Sequence, residues 1–129
     1  SNWHQDISLA LWKKLAINAV INPLTAIHNL KNGELAEIKY NTNITDICCE
    51  IANVMQALGY TVDSLTLIKN VQQVISATAN NYSSMHQDLK FERRTEIEFI
   101  SGYVTSKAAE LNIKVPHNQR LLEQIRQLA

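Results

Sequence analysis

Polar residues form a row along one face of an otherwise apolar helical segment near the start of the chain. Lys14, Asn18 and Asn22 recur every four residues, and at about 100° per residue this spacing keeps them on one face. The positions around them are apolar on nearly every side: Trp12, Leu15, Ala16, Ile17, Ala19, Val20, Ile21 and Leu24. Such a helix is typical of a buried element, in which an ammonium and carboxamides need polar partners. The pattern therefore predicts a ligand pocket along this face.

Apolar positions in the rest of the chain also recur at helical spacing. The periodic segments run from Ile44 to Leu58, Leu65 to Ile75, Ser83 to Lys90, Thr95 to Leu111 and Pro116 to Leu128. Gly59 and Asn112 suit helix ends, and Asp63 or Ser64 suits an N-cap. No alternating strand of useful length is present. The sequence predicts an all-α fold, with one domain of about six to seven helices over residues 1–129.

Two of the polar positions also have a purely structural interpretation. Asn22 precedes Pro23, and asparagine is a favoured N-cap residue while proline is favoured at the first helical position. The proline should therefore kink or restart the helix, with Asn22 as the cap of a second segment. Ser84 could likewise cap the short helix near it. Both interpretations stand beside the ligand-binding one.

A second polar stretch precedes the helix that leads to Leu111. Thr95 and Glu98 have the spacing of a capping box, which predicts that this helix begins at Thr95. Glu96 would then be a first-turn acid favoured by the helix dipole. Alternatively, Glu96 and Ser84 could both point toward the polar row of the first helix.

The composition limits the classes of partner. Twelve basic and twelve acidic residues cancel and form no basic cluster, so we expect neither nucleic-acid nor membrane-surface binding. No apolar run approaches the roughly 20 residues that a membrane span needs. Cys48 and Cys49 are adjacent, which disfavours a disulfide between them, and the scattered histidines give no metal site. We therefore expect a cytoplasmic protein that holds no metal.

Four motifs carry a resemblance to a known family. In chain order they read KLAINAVINPLTAI, NGEL, SSM-x-QD followed by R-TEIE-x-I-x-G, and VP-x-N-x-x-L. With these motifs, the chain from about Trp12 onward resembles the C-terminal domain of ketopantoate reductase (2-dehydropantoate 2-reductase). No glycine-rich phosphate loop is present, so this chain alone has no evident means of binding a dinucleotide tightly.

The resemblance implies a fold similar to the helical domains of the 6-phosphogluconate dehydrogenase superfamily. In the full enzyme an N-terminal Rossmann domain would precede this one, and a small 2-keto acid and NADPH would meet in the cleft between them. The activity would be reduction of ketopantoate to pantoate, which serves pantothenate and coenzyme A synthesis. The missing Rossmann domain would account for the absent glycine loop, and the chain alone would be inactive. Its exposed apolar face could associate with a second copy as a homodimer.

The resemblance also implies roles for residues that match the family's motifs. Lys14 matches a catalytic lysine that protonates the ketone oxygen, and an ammonium can both stabilise a developing alkoxide and donate the proton. Glu96 matches a glutamate that supports this lysine and the substrate.

Four further positions match residues that bind ligands in the family. Asn18 and Asn22 match amides that bind substrate hydroxyls, and Ser84 matches a serine that contacts the substrate carboxylate or its neighbouring hydroxyl. Asn81 matches a position close to the cofactor. Two other functions stay open: a reductase of the same fold for another 2-keto acid, and a helical module that only dimerises.

Overall fold

Six α-helices make up most of the described chain. The computed structural model describes the backbone of residues 3–129 and the side chains from Ser8 onward. The helices are α1 (Trp3–His28), α2 (Asn41–Ala57), α3 (Ser64–Ala77), α4 (Ser84–Lys90), α5 (Ser101–Glu110) and α6 (Pro116–Leu128). Short 3₁₀ helices occupy Asn32–Ala36, Ile38–Tyr40 and Ile97–Phe99. No strand occurs between residues 3 and 129, so the predicted all-α fold is confirmed.

Helix α1 is the central element of the bundle. It packs against α2, α3, α4 and α6, and its second half lies in the core, where Ala16, Ala19 and Val20 are fully buried. The small alanines let neighbouring helices approach the α1 backbone closely. The first half differs, because Leu11 and Lys14 are exposed. The apolar pattern therefore predicted burial correctly only for the part of α1 that its neighbours surround.

Helix α1 continues through Pro23 without interruption. The predicted restart at Asn22 is therefore wrong, and Asn22 caps no second helical segment. Pro23 is buried, and two residues later the Thr25 hydroxyl donates a hydrogen bond of 2.6 Å to the carbonyl of Ile21. Proline removes one backbone hydrogen bond from a helix. Packing on several sides outweighs this loss.

The ends of α2 and α3 follow the local signals in the sequence. Asp63 is the N-cap of α3, and its carboxylate accepts a hydrogen bond of 2.8 Å from the backbone amide of Thr66. Gly59 has a φ of 98°, a left-handed conformation that suits the end of α2. These two predictions from capping chemistry are confirmed. The C-cap of α5 is Leu111 and not Asn112, which follows it with a φ of 57°.

The predicted helix start at Thr95 is wrong. A 3₁₀ turn over Ile97–Phe99 comes first, and α5 begins only at Ser101. Glu98 does not complete a capping box, because its carboxylate accepts two hydrogen bonds of 2.7 Å from Arg126 on α6. The ion pair with Arg126 takes the place of the hydrogen bond to the Thr95 backbone that the capping-box spacing predicted. Separately, none of the helices within residues 3–129 is long and apolar enough to cross a membrane.

Candidate functional site

A small cleft lies between α1, the end of α3 and the segment that leads into α4. Four of the residues predicted from the sequence line it: Asn18, Asn22, Asn81 and Ser84. Its volume is about 240 Å³, and its other lining residues are Ile17, Ile21, Asn32, Val74, Thr78, Tyr82 and Ser83. The lining contains several amides and hydroxyls but no charged side chain. This size is below the roughly 300–1,000 Å³ of sites for drug-sized ligands, and suits a small metabolite.

The α1 wall of the cleft alternates amide and branched apolar side chains. Asn18 and Asn22 lie one helical turn apart and are half-buried, and Ile17 and Ile21 lie beside them on the same wall. A ligand on this wall would meet hydrogen-bonding groups and hydrocarbon together. This combination suits a small molecule that carries both hydroxyl and alkyl groups.

Buried hydroxyl groups hold the opposite wall against α1. Ser83 is the N-cap of α4, and its oxygen accepts a hydrogen bond of 3.1 Å from the amide of His86. The same oxygen lies 2.7 Å from the Thr25 hydroxyl, which itself donates to the carbonyl of Ile21. Ser83 is therefore the donor to Thr25. The structural interpretation of Ser84 is wrong, because Ser83 is the cap, and the exposed Ser84 lines the cleft instead.

Asn32 is a cleft residue that the sequence analysis missed. Its side chain is 7% exposed, and its Nδ2 donates a hydrogen bond of 3.0 Å to the Thr78 hydroxyl. The Thr78 hydroxyl donates its single hydrogen to the carbonyl of Val74, so it must accept from Asn32. This defines which atom of the Asn32 side-chain amide is Nδ2. This leaves Oδ1 of Asn32 buried without a hydrogen-bond partner in the described structure. Most buried polar atoms have a hydrogen-bond partner, so this oxygen of a cleft residue is an exception.

Close backbone contact fixes the position of Asn32. The amide of Asn32 donates to the carbonyl of Asn81 at 2.9 Å, and the amide of Gly33 donates to the carbonyl of Ala79 at 3.0 Å. A Cβ atom on Gly33 would lie 2.7 Å from Cβ of Ala79, so only glycine fits here. An Asn-Gly pair is typical of a helix end or a turn. Its place in the family motif NGEL was the only sign in the sequence that Asn32 has a role beyond this turn.

Lys14 and Glu96 do not line the cleft. Lys14 is exposed on α1 four residues before Asn18, which is about 6 Å along the helix axis. Glu96 is exposed and precedes the 3₁₀ turn at Ile97–Phe99. No ion pair within 4.0 Å joins Lys14 to Glu96 in the described structure. Their catalytic roles stay predictions.

A larger cleft, of about 520 Å³, lies beside the first half of α1. Its lining is mostly aromatic and aliphatic: Leu11, Trp12, Leu15, Leu58, Tyr60, Phe99 and Tyr103, with Ser8 and Lys107 as the polar members. Size alone favours this cleft as a ligand site. We prefer the smaller one because several amides and hydroxyls converge there, which a specific polar ligand requires. In the side chains described from Ser8 onward, no group of three or more His, Cys, Asp or Glu residues could hold a metal ion.

Comparison with known proteins assigns the chain to a family. Residues 6–129 match the family model described as the C-terminal domain of ketopantoate reductase PanE/ApbA. The 2-dehydropantoate 2-reductase of Vibrio cholerae is 48% identical over 126 residues, which cover 98% of this chain and 43% of the relative. The chain spans about 40% of the length of the curated relatives it matches first.

Solved structures show the same fold. The probable 2-dehydropantoate 2-reductase of Bacillus subtilis matches with a TM-score of 0.83 and 31% identity, over 91% of this chain and 39% of that one. D-mandelate dehydrogenase in complex with NADH and anilino(oxo)acetate matches with a TM-score of 0.90 and 24% identity, over 95% of this chain and 69% of that one. The latter likeness concerns the fold alone. By sequence and structure together, the chain belongs to the ketopantoate reductase C-terminal domain family.

Proposed function

We propose that this chain is the substrate-binding domain of an NADPH-dependent 2-dehydropantoate 2-reductase. The substrate would be a small 2-keto acid, ketopantoate, and the product pantoate, which leads to pantothenate and coenzyme A. The observation that carries this proposal is the convergence of four asparagines and a serine on one small cleft: Asn18, Asn22, Asn32, Asn81 and Ser84. Carboxamides and hydroxyls can bind both the hydroxyl and the carboxylate of such a substrate.

The proposed chemistry is reduction of the C2 ketone to an alcohol. As hydride reaches C2, the carbonyl π electrons move to oxygen, and the resulting alkoxide takes a proton. We propose Lys14 as the proton donor, because an ammonium stabilises the alkoxide and then neutralises it. Asn18 and Asn22 would hold the substrate hydroxyl and Ser84 the carboxylate. Glu96 would support Lys14 once the substrate and the second domain are bound.

The described residues do not provide a dinucleotide site of their own. They include no strand and no glycine-rich loop at the start of a helix, which are the features that bind a pyrophosphate. We therefore propose that a separate Rossmann domain binds NADPH, with Asn81 contacting the cofactor from this side. NADPH, when bound, supplies the hydride. The cytoplasm fits this activity and the two free thiols, Cys48 and Cys49.

The proposal has two rivals. The first rival is a reductase of another 2-keto acid that binds in this same cleft. Only a panel of substrates separates it from the proposed function. A helical module that only dimerises would need no polar cleft. The amides and hydroxyls that line the cleft disfavour that rival.

The test is NADPH oxidation with 2-dehydropantoate by the full-length protein that contains this chain, beside its Lys14→Ala variant. We expect a fall in kcat of about 100-fold or more, since general acid catalysis contributes about 10²–10⁴. Lys13→Ala is the matched control, because Lys13 is the neighbouring lysine and lies off the row of Lys14, Asn18 and Asn22, beside Gln56 and Tyr60. Its kcat should stay within about twofold of wild type.

Each other result of this test has a distinct meaning. Turnover that survives in Lys14→Ala would keep the reductase and exclude Lys14 as its acid. Wild-type turnover only with a different 2-keto acid would favour the first rival. The 129 residues alone should oxidise no NADPH, and measurable turnover would overturn the need for a second domain.

A further inference from the structure

Tyr82 is the one aromatic residue among those that line the cleft. It directly precedes Ser83, the N-cap of α4, and its side chain is 43% exposed. The polar walls of the cleft explain how hydroxyls and a carboxylate would bind. They do not explain what limits the size of the hydrocarbon part of a ligand. Besides Tyr82, only the aliphatic side chains of Ile17, Ile21 and Val74 contribute apolar lining.

The ring of Tyr82 is held from one side by a buried histidine. The rings of Tyr82 and His86 stack with their centroids 4.4 Å apart and their planes 21° apart. His86 is 7% exposed, and its Nε2 lies 2.6 Å from Oδ1 of Asn29, just after the end of α1. Nε2 therefore carries the hydrogen that Asn29 accepts. The ammonium of Lys31 lies 5.7 Å from the centroid of the Tyr82 ring.

His86 is a neutral support. Burial, with a smaller contribution from Lys90, lowers the pKa of His86 below its ordinary value of 6.5. The imidazole is thus uncharged at neutral pH and can stack on an aromatic ring as a flat apolar surface. Its anchor on Asn29 ties the stack to the residue that follows α1, the helix that lines the cleft further back along its length, from Ile17 to Asn22. An otherwise exposed tyrosine ring thereby keeps one orientation at the cleft.

We propose that the ring of Tyr82 forms the wall that limits the size of the substrate's alkyl group, and that His86 is a positioning residue for this wall. This inference rests on the proposed 2-keto-acid reductase function. A branched aliphatic 2-keto acid would pack its alkyl carbons against the ring. An aryl 2-keto acid would need the space that the ring occupies. Tyr82 is therefore a specificity-determining residue rather than a catalytic one.

The test is substrate selectivity of the full-length protein. We would measure kcat/KM for 2-dehydropantoate and for phenylglyoxylate, an aryl 2-keto acid, in wild type and in Tyr82→Ala. The ratio should move toward phenylglyoxylate by about tenfold or more, the scale on which apolar pockets discriminate by size. Tyr82→Phe should leave the ratio unchanged, because the ring and not its hydroxyl forms the wall. Phe91→Ala is the matched control, since Phe91 is an exposed aromatic at the other end of α4.

The role of His86 is tested through its coupling to Tyr82. His86→Ala should shift the selectivity ratio in the same direction as Tyr82→Ala, by a smaller factor. In the Tyr82→Ala background it should shift the ratio no further, because the wall is already gone. His86→Phe should retain most of the wild-type ratio, since a phenyl ring can still stack. A residue needed only for folding would instead lower kcat/KM for both substrates equally.

Failure of this inference and failure of the proposed function give different results. Wild-type reduction of 2-dehydropantoate with an unchanged ratio in Tyr82→Ala would overturn the inference and leave the function intact. Independent effects of His86→Ala and Tyr82→Ala would overturn the positioning role. A wild-type preference for another 2-keto acid, with the ratio still shifted in Tyr82→Ala, would support the wall and overturn the proposed substrate. Absence of turnover with every 2-keto acid would overturn both.

Discussion

Two regions of this molecule bury polar groups in opposite ways. At the α2–α6 junction, which we define as Glu50, His117 and Asn118, one carboxylate accepts four hydrogen bonds. Oε2 of Glu50 accepts from the backbone amide and the Nδ1 of His117, at 2.9 and 2.7 Å. Oε1 accepts from the backbone amide and the Nδ2 of Asn118, at 3.0 and 2.8 Å. In the cleft, by contrast, Asn32 keeps a buried oxygen with no partner among the described residues.

The polar groups of the junction stabilise the fold, whereas we propose that the polar groups of the cleft bind a ligand. Glu50 caps the start of α6, where free backbone amides and the helix dipole favour a negative charge. The four donors of the junction all reach the Glu50 carboxylate, so they need no ligand. Asn118 Oδ1 also lacks a partner, but Asn118 is fully buried and does not line the cleft. Asn32, unlike Asn118, is among the residues that line the cleft.

The largest effect should come from breaking the α2–α6 junction. Glu50→Ala leaves two backbone amides and the Asn118 side chain without their acceptor. We expect the free energy of unfolding to fall by about 3–5 kcal/mol, the range seen when one partner of a buried charged network is removed. Urea denaturation measures the change. Glu123→Ala removes an exposed glutamate on α6 and should stay within about 0.5 kcal/mol of wild type. Similar losses in both variants would contradict the special role of the junction.

The next effect should come from crowding the close backbone contact behind the cleft. Gly33→Ala would place a Cβ atom 2.7 Å from Cβ of Ala79 and 2.9 Å from its carbonyl oxygen. Backbone must shift, so we expect a loss of about 1–3 kcal/mol, typical of overpacking. Thermal and urea unfolding measure it. Ala36→Ser, at an exposed position in the same 3₁₀ helix, is the control and should be nearly neutral. An unchanged stability in Gly33→Ala would show that this contact is loose.

A smaller effect on stability, with a clear effect on binding, should follow removal of the cleft acceptor. Asn32→Ala deletes one hydrogen bond to Thr78, which contributes about 1 kcal/mol to stability. In the full-length protein, kcat/KM for 2-dehydropantoate should fall about tenfold, because a ligand hydroxyl would lose its acceptor. Asn43→Ala, an exposed asparagine on α2, should change neither quantity. Loss of stability without loss of kcat/KM would make Asn32 a structural residue like Asn118.

The smallest effect should come from the exposed ion pair between Glu98 and Arg126. Hydrogen bonds from Arg126 lower the pKa of Glu98 below its ordinary value of 4.5. Because the folded pKa is the lower one, the stabilisation is present above pH 4.5 and is lost as the pH falls through the folded value. Arg126→Ala should therefore lower Tm slightly at pH 7, and the difference from wild type should vanish in acid. Arg120→Ala, an exposed arginine on the same helix, should show no such pH dependence. A difference that persists in acid would mean that Arg126 acts through packing and not through charge.

The sequence predicted part of the candidate site because that part is local. Asn18 and Asn22 share a face through helical spacing alone, and they line the same wall in the structure. Ser84 and Asn81 were identified through a resemblance to a family, and no local rule places them opposite α1. Asn32 was missed because an Asn-Gly pair reads first as a turn.

Local patterns failed where a distant residue competes for the same group. Thr95 and Glu98 have capping-box spacing, yet Glu98 binds Arg126, which is 28 residues further along the chain. Asn22-Pro23 has the features of a helix start, yet packing keeps α1 continuous through it. Packing outweighs the cost of a proline inside a helix, which is about 3 kcal/mol. The exposed ion pair between Glu98 and Arg126 is only comparable to the capping preference of about 1 kcal/mol.

The sequence by itself determined that this protein is a bundle of helices with a polar row on its first helix. Those features depend on periodicity and capping, which act over a few residues. Only the tertiary structure decided how α6 is capped: Val115 offers no side-chain cap, and Glu50 reaches across from α2 to supply one. The tertiary structure alone also decided that Asn32 lines the same cleft as Asn18 and Asn22, while Lys14 and Glu96 lie outside it. Such contacts join residues far apart in the chain, and they form only when the helices pack against one another.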